Sequence, residues 1–332
     1  LRKLKVPTRT QYDIHGLEKL SQIKEDILQC GRVEQQINKS SAYENPWLEK
    51  KIADQKNSQW LDLSDEHLND QDMKILAEKY HQITTFTEIN LSKNEISSKG
   101  IKYLVDLLQN SKELSVLLLG NNIIGFTGAQ YLSQALEKNK TLTTLDLQSN
   151  RIGDKGVKHI ADIMNTITSL ETLYLQQNLI GTKGVKDLAN ALKENTMLNT
   201  LNLSWNRIGD EGIEYIADAL RENKTLLTLD LQQNYIGCLG ASHIADALRI
   251  NTTLTTLSLQ QNHIGLKGAK YLADALHDNK TLTVLSLSGN RFGPKGVRDL
   301  TNTLDANTSL TNVLVNGMNL CRNRRTCNIN VN

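Results

Sequence analysis

Apolar side chains recur with one spacing along most of this 332-residue chain. In Leu198–Thr225, Leu198, Leu201 and Leu203 alternate with polar residues, which predicts a short strand with one buried face. After Asn206 the apolar residues follow helical spacing, at Ile213, Ile216, Ala217 and Leu220. One strand and one helix cannot bury their own apolar faces, so the unit must pack against copies of itself.

The copies follow every 28 residues without an insertion. Phe86 opens the first good copy, and later copies start at Leu114, Leu142, Leu170, Leu198, Leu226, Leu254, Leu282 and Leu310. Counted from the first residue of a copy, position nine is asparagine at Asn94, Asn122, Asn150, Asn178, Asn206, Asn234, Asn262 and Asn290. Position twelve is glycine at Gly125, Gly153, Gly181, Gly209, Gly237, Gly265 and Gly293, and a second glycine follows three residues later.

Each recurrent residue type has a physical reason. The leucines predict an aliphatic core between a strand layer and a helix layer, since only 5% of the residues are aromatic. An asparagine side chain can bond backbone groups that no neighbouring strand reaches, so the stacked asparagines predict a ladder along the repeats. The glycines permit a positive φ or a close contact in the turn between strand and helix.

The pattern L-x-x-L-x-L-x-x-N-x-[IL]-G resembles the leucine-rich repeat. Its 28-residue period with a full helix is similar to the ribonuclease-inhibitor-like subfamily, which includes the repeat regions of intracellular NOD-like receptors. The resemblance covers residues 58–320 and implies an α/β fold, a leucine-rich-repeat solenoid shaped as a horseshoe. Parallel strands would line its concave face and helices its convex face.

Residues 1–57 contain no copy of the unit, and their apolar spacing predicts one or two amphipathic helices before a helix start at Asn45-Pro46. We expect an N-terminal helical cap or linker here; a dimerisation helix or the tail of a lost upstream domain is the alternative. The solenoid is expected over residues 58–320, with an atypical first repeat at 58–85 and a last partial repeat at 310–320. Residues 321–332 form a C-terminal tail.

The composition of the chain indicates its cellular compartment and the classes of partner that it binds. The net charge is +2 without a long run of one sign, so charge predicts neither nucleic-acid nor membrane binding. No run of about 18 apolar residues exists, so no membrane-spanning helix is expected. Four cysteines without metal-site spacing favour a reducing, cytoplasmic setting. The chain begins with leucine, so we expect a fragment or a processed form.

The sequence Asn-x-Thr/Ser recurs at one repeat position, at Asn139, Asn223, Asn251, Asn279 and Asn307. Such sites resemble glycosylation acceptors. All five lie just after a predicted helix, where asparagine can cap the helix in the left-handed conformation. We therefore favour a structural role for them.

No set of residues with the roles of an enzyme site can be assembled. The seven histidines are scattered without HExxH, and no phosphate-binding glycine loop is present. Cys238 lies in one turn without an activating partner, which predicts an inert thiol. We expect a protein that is not an enzyme and has no catalytic residue, metal site or cofactor.

Strand residues that point away from the core, at positions three, five, seven, eight and ten, would line the concave face. Glutamine dominates positions seven and eight, at Gln148, Gln176, Gln177, Gln232, Gln233, Gln260 and Gln261. Against this background Tyr174, Trp205 and Tyr235 come from three consecutive repeats and predict a diagonal aromatic patch. Four charged residues surround it: Asp146, Arg151, Arg207 and Asp230. Aromatic and arginine anchors within polar surroundings are typical of a protein-binding hot spot; chance placement, or Trp205 folding onto its neighbours, is the alternative.

These features favour a non-enzymatic protein–protein interaction module that binds a protein partner through the concave strand face. The resemblance to NOD-like receptors implies the sensing or autoinhibitory repeat region of such an immune receptor. A stand-alone scaffold or inhibitor like ribonuclease inhibitor is the alternative, although this chain has little cysteine. A Ran-type GTPase-activating protein ranks third, because that family's long acidic tail is missing and the tail here is basic.

Overall fold

The computed structural model describes residues 43–55, 58–80, 86–315 and 318–319. The chain divides into two compact units, Leu1–Pro46 and Trp47–Asn332, and the elements below lie in the second unit, apart from Pro46 at the start of the first helix. The helices expected before residue 43, Cys30, and the basic tail 321–332 with its two cysteines lie outside the described residues.

Strands and helices alternate along the repeats. The strands are β1 Trp60–Asp62, β2 Glu88–Asn90, β3 Val116–Leu118, β4 Thr144–Asp146, β5 Thr172–Tyr174, β6 Thr200–Asn202, β7 Thr228–Asp230, β8 Thr256–Ser258, β9 Val284–Ser286, β10 Asn312–Val315 and β11 Met318–Asn319. The helices are α1 Pro46–Asp54, α2 Asp70–Tyr80, α3 Ser98–Asn110, α4 Gly125–Leu136, α5 Gly153–Thr166, α6 Thr182–Glu194, α7 Gly209–Glu222, α8 Cys238–Leu248, α9 Gly265–Asp278 and α10 Gly293–Ala306.

Strands β1 to β10 form one open parallel sheet in chain order, and β11 adds to its end in the antiparallel direction. The parallel pairs are in register, so each residue lies beside its equivalent 28 residues later, as Leu201 lies beside Leu229. Each helix from α2 onward contacts the helix of the next repeat. The predicted α/β repeat solenoid is therefore confirmed.

The core lies between the strand layer and the helix layer. Leu198, Leu201 and Leu203 are completely buried, as are Ile213 and Ile216 of the following helix. Burying one such side chain contributes about 1.5–3 kcal/mol relative to leaving it exposed. Because every repeat supplies the same set, the core is continuous along the solenoid.

The predicted asparagine ladder follows the strand ends. Asn178 is fully buried, and its Nδ2 donates to the carbonyls of Leu147 and Leu175 at 2.8 and 3.2 Å. Its Oδ1 accepts from the amides of Asn150 and Ile152 at 3.0 and 3.2 Å. One side chain therefore satisfies backbone groups in two consecutive repeats that no strand partner reaches.

A second asparagine ladder lies at the helix ends, and here the predicted left-handed cap is wrong. Asn223 has φ −66° and ψ 136°, which is extended backbone. Its Nδ2 donates to the carbonyl of Leu192 in the preceding helix at 2.7 Å, and its Oδ1 accepts from the amide of Leu226 at 2.8 Å. The five asparagines of the Asn-x-Thr/Ser sites are buried. In the folded chain the Nδ2 groups of Asn223, Asn251, Asn279 and Asn307 all donate to a carbonyl of the preceding helix.

The turn between strand and helix takes two forms, and the residue at position thirteen of the preceding repeat selects between them. Where that residue is aspartate, it captures the next turn: Asp154 Oδ1 accepts from the amide of Gly181 at 2.7 Å, and Asp210 Oδ1 from Gly237 at 2.6 Å. Both captured glycines have extended backbone. In the turns without this bond the glycine adopts a positive φ of 61–67°, at Gly125, Gly153, Gly209, Gly265 and Gly293.

The two turn forms predict opposite effects of the same substitution. Gly181→Ser is expected to raise the free energy of unfolding by about 0.5–1 kcal/mol, because serine restricts the unfolded chain and fits the extended backbone. A Cβ on Gly181 would lie 3.4 Å from Asp154 Oδ2, and the equivalent Ser97 already donates its hydroxyl to Asp70 at 2.6 Å.

Gly209→Ser is the matched counterpart. A Cβ there meets no atom within 4 Å, so the change tests the backbone alone at φ +67°. We expect it to lower the free energy of unfolding by about 1 kcal/mol. Urea denaturation followed by circular dichroism measures both variants, and equal effects would contradict the two-form description.

Candidate functional site

We call the surface formed by positions three, five, seven, eight and ten the strand face. Positions three to five form the strands, whereas positions eight and ten lie in the turn that follows, on either side of the buried asparagine. Because the strands pair in register, equivalent residues of adjacent repeats are about 4.8 Å apart. The predicted site residues therefore occupy two zones, the strands and the adjoining turns.

Tyr174 ends β5 and is half-buried. In the sheet it lies between Asp146 of β4 and Asn202 of β6. Both of these neighbours are polar residues with shorter side chains than tyrosine.

Trp205 lies in the turn after β6 and is 47% exposed. Its backbone amide donates to the carbonyl of Gln232 at 2.8 Å, which fixes the turn against the next repeat. Its φ is +57°, a left-handed conformation that costs a non-glycine residue about 1–2 kcal/mol. The equivalent Gln177 and Gln233 are left-handed as well, with φ of +57° and +55°, so this backbone form belongs to the repeat and not to Trp205 alone.

Tyr235, one repeat further, is 60% exposed and also left-handed, with φ +59°. Its ring lies 6.1 Å from the ring of His263, tilted by 47°. Within the described residues no ring contact joins Tyr174, Trp205 and Tyr235 to one another. Three separate anchors, one of them supported by His263, therefore stand on this part of the strand face.

Asp146 and Asp230 differ in how far their carboxylates are exposed to solvent. Asp146 is only 7% exposed and accepts from the amide and the side chain of Gln148, each at 2.9 Å. Burial raises the pKa of Asp146, although these two hydrogen bonds oppose the shift. Asp230 is half-buried and accepts from the amide of Gln232 at 2.9 Å. Asp146 is thus a structural residue with little surface to offer, and Asp230 is the more accessible carboxylate.

The raised pKa of Asp146 predicts a pH effect on stability. An aspartate in the unfolded chain has a pKa of about 3.9, and the folded carboxyl of Asp146 has a higher pKa. Between these two pKa values the folded state holds the proton and the unfolded state has lost it. The free energy of unfolding therefore falls as the pH rises from the unfolded pKa to the folded pKa. Asp146→Asn removes the titration. The free energy of unfolding of the variant, minus that of the wild type, is therefore expected to increase between pH 4 and pH 7 in urea titrations. A constant or decreasing difference would refute this assignment.

Arg151 and Arg207 occupy position ten of their repeats and are exposed. The amide of Arg207 donates to the carbonyl of Ile180 at 2.7 Å, which anchors its turn, whereas Arg151 has a left-handed φ of +55°. Neither guanidinium forms an ion pair with another described residue. Both cations are therefore available to an external anion.

The glutamines between these anchors bond mainly to one another. Gln176 Nε2 donates to Gln148 Oε1 at 2.8 Å, and Gln232 Nε2 donates to Gln261 Oε1 at 2.8 Å. Such cross-repeat pairs give the middle of the strand face a neutral, partly ordered amide surface around the aromatic anchors.

The strand-side ladder has a defect beneath Trp205. The Oδ1 of Asn234 is fully buried and has no hydrogen-bond partner among the described residues. The equivalent oxygens of Asn206 and Asn262 each accept two amides of the preceding repeat. The turn that carries Trp205 and Arg207 thus lacks the two side-chain bonds found in the turns beside it, and it is held by backbone bonds such as Gly209 N–H to the carbonyl of Asn234 at 2.9 Å.

Two apolar residues of the strand face were not among the site residues predicted from the sequence. Ile123 and Leu179 occupy position ten, beside the arginines of that position, and half of each side chain is exposed. The sequence signal for them is an apolar residue at position ten, because isoleucine and leucine are unusual in an exposed turn otherwise rich in charged residues. They extend the candidate surface away from the strands and along the turns.

The described residues contain no group of three or more histidine, cysteine or acidic side chains placed to hold a metal ion. No helix in the described part is long and apolar enough to cross a membrane. A shallow groove lies between α5 and α6, lined by residues such as Lys158, Asp162 and Asp187. This groove belongs to the helix layer.

Six segments of the chain match the family described as Leucine Rich repeat, at residues 82–105, 138–161, 166–189, 194–217, 251–273 and 278–300. Each segment includes one strand and the start of the following helix. Together with the fold, these matches make the chain a leucine-rich repeat protein. They indicate no catalytic family.

Two solved structures are similar to parts of the chain. Leiomodin-1 Actin-Binding Site 2 is 22% identical and covers 52% of this chain and 86% of its own, with a TM-score of 0.39. The tropomodulin C-terminal domain of Caenorhabditis elegans is 12% identical and covers 45% of this chain and 92% of its own, also with a TM-score of 0.39. No curated protein sequence matches the chain.

Proposed function

We propose that the chain is a non-enzymatic interaction module that binds a protein partner through its concave strand face, with Trp205 as the central anchor. One observation carries this proposal: a tryptophan that is 47% exposed at position eight, where every described repeat has a left-handed backbone. The other described repeats place aspartate, lysine, asparagine, serine, glutamine or glycine at this position. An exposed tryptophan in place of these residues is the side-chain type that dominates binding energy in protein interfaces.

The surroundings of Trp205 support the same proposal. Tyr174, Tyr235 and Arg207 are half-buried or exposed residues of the types that dominate binding energy in protein interfaces. The paired glutamines supply polar surroundings that can hydrogen-bond a partner. A broad face with separate anchors suits a protein surface better than it suits a small molecule, which needs an enclosing pocket.

Within this function we place the chain in the cytoplasm as the sensing or autoinhibitory repeat region of a receptor similar to NOD-like receptors. A nucleotide-binding P-loop encoded upstream in the gene would favour this assignment. A free-standing scaffold or inhibitor is the second candidate, and it requires the repeat region alone to be the functional unit. Acceleration of GTP hydrolysis by a small GTPase would favour a Ran-type activator instead.

Affinity capture from cell lysate tests the binding face. The bait is the full chain as wild type and as the double variant Tyr174→Ala/Trp205→Ala. We expect a partner that the wild type retains to be lost from the double variant, with at least a 30-fold weaker Kd once the partner is purified, since each hot-spot truncation costs about 2 kcal/mol or more.

Tyr103→Ala/Tyr271→Ala is the matched control. These tyrosines are 38% and 42% exposed and lie on helices α3 and α9. The control should keep the partner. Loss of the partner from the control but not from the strand-face variant would reject the proposed function.

A further inference from the structure

Position ten of seven consecutive repeats forms a row of exposed side chains. We call this row the turn rim: Ile123, Arg151, Leu179, Arg207, Tyr235, His263 and Arg291. Each residue directly follows the buried ladder asparagine of its repeat. Apolar or aromatic and cationic side chains alternate from Ile123 to Tyr235, so the turn rim combines two kinds of contact in one line.

The cations of the turn rim are unused within the fold. Arg151, Arg207 and Arg291 form no ion pair with any residue in the described ranges. By contrast, Arg221 on helix α7 and Arg249 directly after helix α8 each pair with an aspartate three residues earlier. The rim arginines therefore keep their charge and their bidentate donors for a molecule outside the chain.

The carboxylates close to the turn rim are fewer than its cations. Asp154 and Asp210 already accept the amides of Gly181 and Gly237 at the turns. Glu211 is the remaining acidic residue at positions eight, ten, thirteen and fourteen of the seven repeats. The same positions add four lysines to the rim cations: Lys155, Lys183, Lys267 and Lys295. Positive charge therefore exceeds negative charge along the rim, although the whole chain is nearly neutral.

Helix ends add to the positive potential. Helices α4 to α10 begin within four residues of their rim residue. Six of these seven helices, α4 to α9, have no side chain that caps the first turn. The first amide of α4, α5, α7 and α9 donates to an asparagine carbonyl of the next repeat. The helix dipole still favours negative charge near these ends, in the same sense as the arginines.

The spacing of the turn rim defines what fits it. Adjacent repeats are about 4.8 Å apart, so Arg151 and Arg207 are about 10 Å apart with Leu179 between them. A partner segment must therefore present carboxylates at about 10 Å intervals with apolar side chains between them. A nucleic-acid backbone offers anions at this scale but has no apolar groups to cover Ile123 and Leu179.

We infer that the turn rim binds an acidic protein segment whose carboxylates pair with Arg151 and Arg207 and whose apolar side chains cover Leu179 and Tyr235. This inference rests on the proposed function and names the chemistry of the partner. It also places part of the interface in the turns, beside the aromatic anchors of the strand face.

A display library of random 16-residue peptides, selected on the full chain, tests the inference without a known partner. The enriched peptides are expected to carry net negative charge and apolar residues among the acids. Their binding should weaken at least ten-fold with Arg151→Ser/Arg207→Ser. Raising the salt from 0.15 to 0.5 M should also weaken it, because exposed ion pairs are screened.

Lys158→Ser/Lys270→Ser is the charge-matched control, since both lysines are exposed on helices α5 and α9 and the loss of charge is the same. The control should change peptide affinity less than two-fold. Neutral or basic enriched peptides, or equal losses in both double variants, would overturn the inference. A 15-nucleotide polyuridine that binds as tightly as the peptides, with the same dependence on Arg151 and Arg207, would overturn it as well.

The two proposals fail separately. Non-acidic peptides that still depend on Trp205 would leave the interaction module in place and remove only the acidic partner. A captured partner whose binding does not depend on Tyr174 and Trp205 would reject the strand-face function, whatever the charge of the selected peptides.

Discussion

Replacing Asn178 by alanine is expected to lower the free energy of unfolding by about 4 kcal/mol, since each buried group left without a partner costs about 1–3 kcal/mol. The side chain donates to Leu147 and Leu175 and accepts from Asn150 and Ile152. Alanine leaves these buried backbone groups unpaired, and no strand partner can replace the amide. Urea denaturation followed by circular dichroism measures the loss.

Asn234→Ala is the matched control within the same ladder. Asn234 is equally buried and donates to the carbonyl of Leu203 at 2.8 Å, but its Oδ1 accepts no hydrogen bond in the described part of the chain. We expect this variant to lose about 1–2 kcal/mol less than Asn178→Ala. Equal losses would mean that the accepted amides contribute nothing and that the ladder works through its donors alone.

Replacing Trp205 by glycine is expected to separate stability from function. Glycine adopts φ +57° without strain, so the free energy of unfolding should rise by up to about 1 kcal/mol despite the larger entropy of the unfolded chain. Binding of the protein partner should weaken at least 30-fold, because the central anchor is gone. Thermal denaturation and calorimetric titration of one protein preparation give both results.

Arg207→Gly controls for the backbone. Arg207 is in the same turn, but its φ is not in the left-handed region. Glycine there should lower the free energy of unfolding by about 0.5–1 kcal/mol. A destabilising Trp205→Gly would show that the indole stabilises the fold by packing, and it would remove the argument that Trp205 is kept for binding.

Much of the fold could be predicted from the sequence because one local pattern decides it. The leucine spacing of Leu198–Thr225 specified a strand and a helix, and repetition every 28 residues specified how the copies stack. The ladder role of Asn178 followed from the chemistry of its amide. Each of these features depends on a residue and its equivalents in neighbouring repeats, which a repeat sequence displays directly.

Two features of the fold depend on tertiary contacts that the spacing of residues in the sequence does not reveal. Asn223 lies where a left-handed cap was expected, but its amide reaches the carbonyl of Leu192 in the preceding helix, and that bond holds the backbone extended. The two turn forms likewise depend on whether an aspartate such as Asp154 lies beside the next turn. In both cases a tertiary hydrogen bond overrides the local preference.

The candidate site was predictable in part. Residue types and repeat positions identified Tyr174, Trp205 and Tyr235 and placed them on neighbouring repeats. The left-handed backbone of Trp205 and the deep burial of Asp146 were not predictable, because both depend on the exact path of the turn and the strand. The structure thus changed the relative weight of the predicted site residues, because Asp146 is only 7% exposed whereas Trp205 is 47% exposed.

Hydroxyl-radical footprinting of the chain with its bound partner tests the central claim most directly. Tryptophan and tyrosine side chains on both layers are comparably exposed in the free chain, so Tyr103 and Tyr271 on the helices serve as internal controls for Trp205 and Tyr235. We expect the partner to protect Trp205 and Tyr235 from oxidation and to leave Tyr103 and Tyr271 unchanged. Protection of the helix tyrosines with unchanged oxidation of Trp205 would contradict the assignment of the strand face as the binding surface.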